Sequence, residues 1–451
     1  MLLLFLTILL SSVENRIFGL ESEDSLLPQP AIIKFLEKYA DSPYYIDTLR
    51  NLLNFRRTEL SSDDIAKVFN EIANCMYLEG KIKEAVAFID SAILLNGISG
   101  GMLAFSLISG GYYMELMNDC VGAYLSYERA IEKLQNGKFP YLLASAYHNM
   151  GVLFYNCFSD ATRALQNLYE ANEIALHLNH ENREVELLKV RIKLNIAEIL
   201  SGMRSEEAID TYQECMKTLI KLGAHENATI ALFNLVDHYL HLNRIQDAII
   251  SLNSTEIDTS QISPFAKNLM RLAYGKCLIA MKDTARAIPL ILRCFYGFAT
   301  IEDISDMIVC LEIVLPHLKK GVTPAGFSDL LSLMEKYEKK VPPSMKVRYL
   351  KLMGELNMMA GNITKALKFY SDAVDTLLAS KTRYEENLRT ILYNEMEKSI
   401  SSKINELMEK QERYKKRAGL YLVISIVIGV LLSMALLYFT ARRLKNVKSG
   451  D

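Results

Sequence analysis

A small residue followed four positions later by a bulky one returns seven times along the chain. The stretches EAVAFIDSAI, GAYLSYERAI, RALQNLYEAN, EAIDTYQECM, DAIISLNSTE, RAIPLILRCF and KALKFYSDAV align on Ala85, Ala123, Ala164, Ala208, Ala248, Ala287 and Ala366. Their gaps are 38, 41, 44, 40, 39 and 79 residues, the last spanning two periods, so a degenerate unit is expected near Ala325. Self-similarity at this period marks a stacked array, because one such unit cannot bury its apolar face alone.

Upstream of these alanines lies a second helical segment with a small residue and a large one three later: Ala73/Met76, Gly111/Met114, Gly151/Phe154, Gly275/Leu278 and Gly354/Asn357. Small residues let two helices approach and bulky ones fill the groove between them, which makes each unit a helical hairpin. Gly80 in LEGKIKEA and Gly361 in MAGNITKA suit the left-handed turn that ends a first helix. Pro140, Pro264 and Pro342–Pro343 precede first helices, where a missing N–H costs little. Pro289 and Pro316 fall inside helical patterns and are expected to kink them, which makes 300–341 the irregular part of the array. Composition agrees, with 50% apolar residues but only 10 Pro and 21 Gly in 451 residues. The predicted class is all-α.

The pattern resembles the tetratricopeptide-repeat family over roughly residues 61–380, about eight units, best in NEIANCMYLEGKIKEAVAFIDSAI and LKLMGELNMMAGNITKALKFYSDAV. The chain departs from that family in having no Trp, a longer period than the usual residue count of about 34, and Cys215 and Cys294 in a small-residue column. The resemblance implies a right-handed α-solenoid whose first helices line a concave binding face. HNMG, LNIA and FNLV place Asn149, Asn195 and Asn234 each two residues before the small packing position. An amide offers donor and acceptor together, which suits holding the backbone of an extended peptide. The resemblance points the same way, since inner-face asparagines hold peptide backbones in several such receptors. The competing reading is that these amides bond to a neighbouring helix.

Both ends address a membrane. Met1–Leu10 followed by Ser11 and Ser12 fits the apolar core of a signal peptide, with cleavage expected after Gly19, although the first base is Arg16. Residues 20–60 are read as a helical cap. Ala418–Thr440 would rise about 35 Å as a helix, enough for one span. Bases flank it on both sides, Arg413, Lys415, Lys416 and Arg417 before, and Arg442, Arg443, Lys445 and Lys448 after, so the signal peptide has to set orientation. The expected topology is single-pass, in a bacterial inner membrane, with a periplasmic array and a cytoplasmic tail at 441–451. Residues 381–417 lack Gly and Pro, and Ile400, Ile404, Leu407, Gln411 and Tyr414 recur at coiled-coil spacing. A helical stalk follows, as a single exposed helix or a parallel homodimer.

Several chemical motifs fail on context. GISGG around Ser99 spells a nucleophile elbow, which needs a preceding strand where the repeat places a helix. HENRE at His180 and HENAT at His225 lack the second His of a zinc-protease helix. The pairs His177/His180 and His238/His241 have no evident third ligand and read as surface histidines. The seven cysteines are scattered without a C-x-x-C pair and read as small apolar residues in helices. A net charge of −2 gives no footprint for nucleic acid. No cofactor, metal or enzymatic activity is expected.

Signal peptide, repeat array, stalk and one span together resemble the sensory half of Bacteroidetes-type bacterial membrane regulators. The resemblance implies a non-enzymatic receptor or adaptor that binds a peptide or protein outside the membrane. Here the output domain those regulators carry does not follow the span, so an adaptor would act through a partner or by dimerising. The alternative is a scaffold that organises an envelope complex without signalling.

Overall fold

The computed structural model describes Ile32 and residues 44–413, except 56, 136, 180–181, 319–323, 388, 392–395, 397–400 and 406, and leaves the side chains of 324–328 aside. The expected signal peptide, the span at 418–440, the flanking Arg442 and Arg443, and the tail lie outside the described residues. Within them, no helix is long and apolar enough to cross a membrane. The chain divides into two units, 1–385 and 386–451.

Among the described residues the first unit begins with α1 (Tyr45–Phe55), after which helices pair into successive hairpins. These are α2 (Ser62–Leu78) with α3 (Ile82–Ile93), α4 (Gly100–Leu116) with α5 (Cys120–Leu134), and α6 (Pro140–Phe158) with α7 (Ala161–Leu176). Then come α8 (Arg183–Gly202) with α9 (Glu207–Lys221), α10 (His225–His241) with α11 (Ile245–Asn253), and α12 (Pro264–Ala280) with α13 (Thr284–Thr300). There follow α14 (Ile304–Leu318), α15 (Pro324–Lys336), around Ala325, and a last hairpin of α16 (Lys346–Met359) with α17, helical over 363–385. The fold is an all-α, solenoid-like array.

Each hairpin closes by the small-into-bulky mechanism. All seven column alanines, Ala85 to Ala366, are completely buried. Opposite them, the glycines leave room for the bulky residue four positions on from each alanine. A Cβ added to Gly111 would lie 2.5 Å from the Tyr127 ring, one on Gly151 2.8 Å from Leu168 Cγ, one on Gly275 2.6 Å from Ile291 Cγ1, and one on Gly354 2.7 Å from the Tyr370 ring. Those spacings fall below any carbon–carbon contact, so only glycine allows the helices this approach.

The turns repeat as well. Lys81, Asp119, Ser205, Arg244, Asp283 and Asn362 each send a backbone N–H back to a carbonyl five residues earlier at 2.8–2.9 Å, the Schellman closure. The residue before each has positive φ, and only Gly80 and Gly361 are glycines; Asn118, Arg204, Asn243 and Lys282 adopt the same conformation with a side chain. Asp119, Asp160 and Asp283 then cap the second helices by accepting from Gly122, Arg163 and Arg286. Pro140 and Pro264 occupy the first turns of α6 and α12, while Pro289 and Pro316 sit within α13 and α14.

First helices of neighbouring hairpins touch from α2 through α12 and again between α14 and α16, whereas second helices do not touch to that extent. The hairpins therefore converge on the first-helix side, which gathers side chains from successive units along one face. A continuous apolar core runs beneath it from Leu187 to Ala373. In the second unit the described residues 401–405 and 407–413 are helical, with Ile404 and Leu407 exposed in the single chain. Ile400 and Tyr414 of the expected seam lie outside the described residues.

Candidate functional site

The asparagine column sits in the seam between first helices. Asn195 Nδ2 on α8 lies 2.6 Å from His148 Nε2 on α6, and His148 Nδ1 lies 3.0 Å from Asn149 Oδ1. An amide nitrogen only donates, so Nε2 accepts, Nδ1 carries the proton and donates to Asn149, and the imidazole is neutral. Burial, with the nearby Arg191 charge, holds its pKa down to about 3. Asn195 thus links two hairpins. Asn149 is half-buried, and Asn234 is buried with no partner for its Nδ2.

A second row runs beside this seam, one helical turn further along the first helices. Tyr77 of α2 and Tyr112 of α4 meet edge to face, their hydroxyls 3.2 Å apart. One turn on, Glu115 accepts from the Tyr127 hydroxyl at 3.3 Å. Burial pushes its carboxyl up to about 7; the neighbouring Asn156 amide counters part of that rise, yet its Nδ2 lacks hydrogen-bonding geometry and stays unpartnered. Tyr155, beside Asn156, reaches α8, where a Cβ on Gly202 would stand 3.2 Å from its hydroxyl. Its pKa is raised by burial and by Glu198. Burial is the largest cause holding the Glu198 pKa up, and its Oε2 makes no hydrogen bond among the described residues. Asp237 of α10 pairs with Lys276 of α12.

Beyond Lys276 the row turns basic in a different way. Arg348 of α16 pairs with Glu312 of α14 through Nε and Oε1 at 2.9 Å. Between them Asp306 is buried, and burial with the adjacent Asp303 raises its pKa against the pull of Lys276 and Arg348. The row therefore carries Glu115, Glu198 and Asp237 with tyrosines over α4–α10, beside the buried Arg191 of α8, and bases held by carboxylates over α12–α16.

Among the described residues, buried polar atoms that make no hydrogen bond concentrate on first helices, as with Asn70 Oδ1, Ser145 Oγ, Asn156 Nδ2 and Asn234 Nδ2. A buried unpaired donor or acceptor costs on the order of 1–3 kcal/mol, which a ligand group can relieve. By contrast, the cleft of about 510 Å³ on the second-helix side, between α9 and α11 near Gln213 and Thr255, is lined by none of these atoms.

Sequence reasoning did not find His148, Asn156 or Glu198. The signal was present, because Glu198, Asp237 and Lys276 follow one another at 39 residues, each directly after a packing position of its first helix. Ser99 is the N-cap of α4: its hydroxyl accepts from Met102 N–H and its own N–H donates to Asp63 Oδ1 at 2.7 Å. A turn after α3 precedes it, so no elbow forms. His238 is not a surface residue but fully buried, donating from Nε2 to the Ser205 carbonyl and accepting from the Ser201 hydroxyl at Nδ1. Nor are all cysteines free: Cys120 and Cys157 form a disulfide between α5 and α6, while Cys215, Cys277, Cys294 and Cys310 are buried thiols. The pairing escaped the sequence because its members stand 37 residues apart and are brought together only by hairpin stacking. Among the described residues no cluster of three metal-ligating groups forms.

One contact reaches across the array. The Tyr384 hydroxyl, on α17, donates to the Phe158 carbonyl at the end of α6 at 2.7 Å. The helix that leads toward the stalk is thereby fastened to the third hairpin, one turn from Tyr155 and Asn156.

No family model matches the chain, and no curated protein matches it. Among solved structures it is similar to a Rap protein complexed with competence and sporulation factor, with a TM-score of 0.46 and 12% identity over 84% of this chain and 93% of that one. It is also similar to the Rap conjugation gene regulator of plasmid pLS20 bound to the Phr* peptide, with a TM-score of 0.44 and 15% identity over 80% and 99%. A signal transduction ATPase with a tetratricopeptide repeat sensor from Pyrococcus horikoshii gives 0.42 and 14% over 84% and 50%. Likeness at these scores carries no functional conclusion.

Proposed function

We propose that the chain is a non-enzymatic receptor or adaptor that binds a peptide or protein on its first-helix face, anchored by a single span at 418–440. The observation that carries this reading is the pair of buried amide nitrogens on that face, Asn156 Nδ2 and Asn234 Nδ2, that make no hydrogen bond among the described residues. Peptide groups offer donors and acceptors at regular spacing, the complement such a row requires. Asn149 and Asn234 would contact the ligand, while Asn195 positions α8 against α6 through His148. The disulfide supports an oxidising compartment and hence export of the array. Ligand entry beside Tyr155 would bear on the Tyr384–Phe158 contact and so on the stalk, alone or as a parallel dimer.

The test uses the full chain in detergent and a fluorescein-labelled random nonapeptide pool read by anisotropy. Replacing Asn149, Asn156 and Asn234 by Ala should weaken binding about tenfold or more without lowering helicity, since each lost hydrogen bond is worth about 1 kcal/mol; unchanged binding refutes the reading. Exchanging span and stalk for an unrelated anchor separates receptor from scaffold, because only a scaffold keeps its cellular role. A reporter fused after Asp451 checks topology, and periplasmic activity there overturns it.

A further inference from the structure

We propose that the cleft between α9 and α11 is a second binding site, for a small zwitterion with an apolar body: a free α-amino acid with an apolar side chain. The cleft lies on the second-helix side, and this inference is independent of the peptide reading above.

The cleft exists because one second helix is short. α11 has nine residues where α9 has 15 and α13 has 17, so about a turn and a half is missing from its end. Between Ser254 and Ser263 the chain runs on without a helix to fill that place. The segment is nevertheless anchored. Ile257 and Ile262 are buried, Asp258 N–H donates to His225 Nδ1 at 3.3 Å, and Ser263 N–H donates to Glu226 Oε2 at 3.0 Å. The wall is therefore in place before a ligand arrives, around a space of about 510 Å³, inside the roughly 300–1,000 Å³ of small-molecule sites.

The lining combines an apolar floor with two opposite charges. Met216 and Ile220 of α9 meet Leu235 of α10, which is buried and belongs to a first helix, so the cleft reaches down between the helices of two hairpins. Lys217 is the one cation of this lining and Glu256 the one anion, and neither makes an ion pair or hydrogen bond among the described residues. They do not pair with each other across the cleft, so both are open to a ligand that carries the opposite charges. Gln213 Nε2 donates to the Tyr239 hydroxyl at 3.1 Å and Thr255 Oγ1 accepts from Ile257 N–H at 3.4 Å, which leaves Gln213 Oε1 as an acceptor and the Thr255 O–H as a donor.

α11 also ends at this cleft, and the C-terminus of a helix presents unpaired carbonyls with partial negative charge. The negative pole, Glu256 with that helix end, suits an ammonium group, Lys217 suits a carboxylate, and the floor takes the side chain. A fatty acid would satisfy Lys217 but offer nothing to Glu256, and an apolar amine would do the reverse. Selectivity for the zwitterion therefore comes from having both poles in one lining.

The experiment is equilibrium dialysis of the full chain in detergent against tritiated L-leucine, L-methionine and L-phenylalanine. At least one should bind saturably, one molecule per chain. For leucine, 4-methylpentanoate, which lacks the ammonium group, and 3-methylbutylamine, which lacks the carboxylate, should each compete about fivefold more weakly than unlabelled leucine, the size of one exposed charge pair. Lys217→Met and Glu256→Gln, both at exposed positions, should each weaken binding by a similar factor, and Ser251→Trp should block the cleft. The inference is overturned if none of the three amino acids binds saturably, if either single-charge analogue competes as well as the amino acid, or if binding survives all three substitutions. These results leave the first-helix face untouched, since the labelled nonapeptides probe it separately.

Discussion

Replacing Gly275 by Ala tests the mechanism that sets the spacing of the helices. The added Cβ would stand 2.6 Å from Ile291 Cγ1 and 3.2 Å from its Cδ1, on a side chain that is completely buried. Ile291 cannot swing aside, because a β-branched residue in a helix has essentially one χ1 well. Overpacking of this kind costs about 1–3 kcal/mol, against which Ala gains about 1 kcal/mol over Gly inside a helix. In the native background G275A should thus be neutral to destabilising, by up to about 2 kcal/mol. Ile291→Ala alone should cost about 2–5 kcal/mol as a buried truncation. In the I291A background the clash is gone, since Cγ1 and Cδ1 are the atoms removed. There G275A should stabilise by about 1 kcal/mol, a change of sign and a coupling of about 1–3 kcal/mol. Urea unfolding followed by circular dichroism, with all four chains in the same detergent, reads the cycle from the transition that contains the sixth hairpin. If G275A has the same effect in both backgrounds, the small-residue column does not govern helix approach and the reasoning fails.

Other outcomes follow from single positions. Lys282 holds a left-handed conformation with φ +63° at the turn between α12 and α13, so Lys282→Gly should raise stability by about 0.5–1 kcal/mol, seen as a higher urea midpoint. His148 has a folded pKa lowered from 6.5 to about 3 by burial, so its contribution is present above pH 6.5 and is lost as pH falls toward 3. Glu115 runs the other way: with its pKa raised to about 7, its contribution is present below pH 4.5 and is lost as pH rises through 7. His148→Gln should therefore remove about 2 kcal/mol of the native stability loss between pH 6.5 and 4.5, measured as a flatter pH dependence of unfolding. Reducing the Cys120–Cys157 bond, or replacing both residues by Ser, should cost about 4 kcal/mol on the chain-entropy account, given its separation of 37 residues. Equal urea midpoints with and without reductant would refute that pairing.

How much of this was legible in the sequence depends on range. Ala123 and Tyr127, or Ala287 and Ile291, recur at a fixed offset inside one helix, so a local pattern announced the hairpins before any coordinates. Gly80 and Gly361 announced their turns through φ, a property of the residue itself. The turns at Arg204 and Lys282 carried no such mark, because there the Schellman closure imposes the conformation on residues that do not prefer it. The column of Asn149, Asn195 and Asn234 was visible by spacing, but spacing could not say that His148 would take up the amide of Asn195.

What the sequence determined alone is periodic: the all-α class, the hairpin as the unit, and the small-into-bulky contact that closes it. Each of these is fixed by residues three or four positions apart, and near-neighbour geometry in a helix follows from its rise and pitch. What only the tertiary structure decided joins residues of different hairpins. Cys120 with Cys157, His148 with Asn195, and Tyr384 with Phe158 all depend on how one hairpin rotates on the next. That rotation is set by the packing of many side chains at once, and no single spacing in the sequence encodes it.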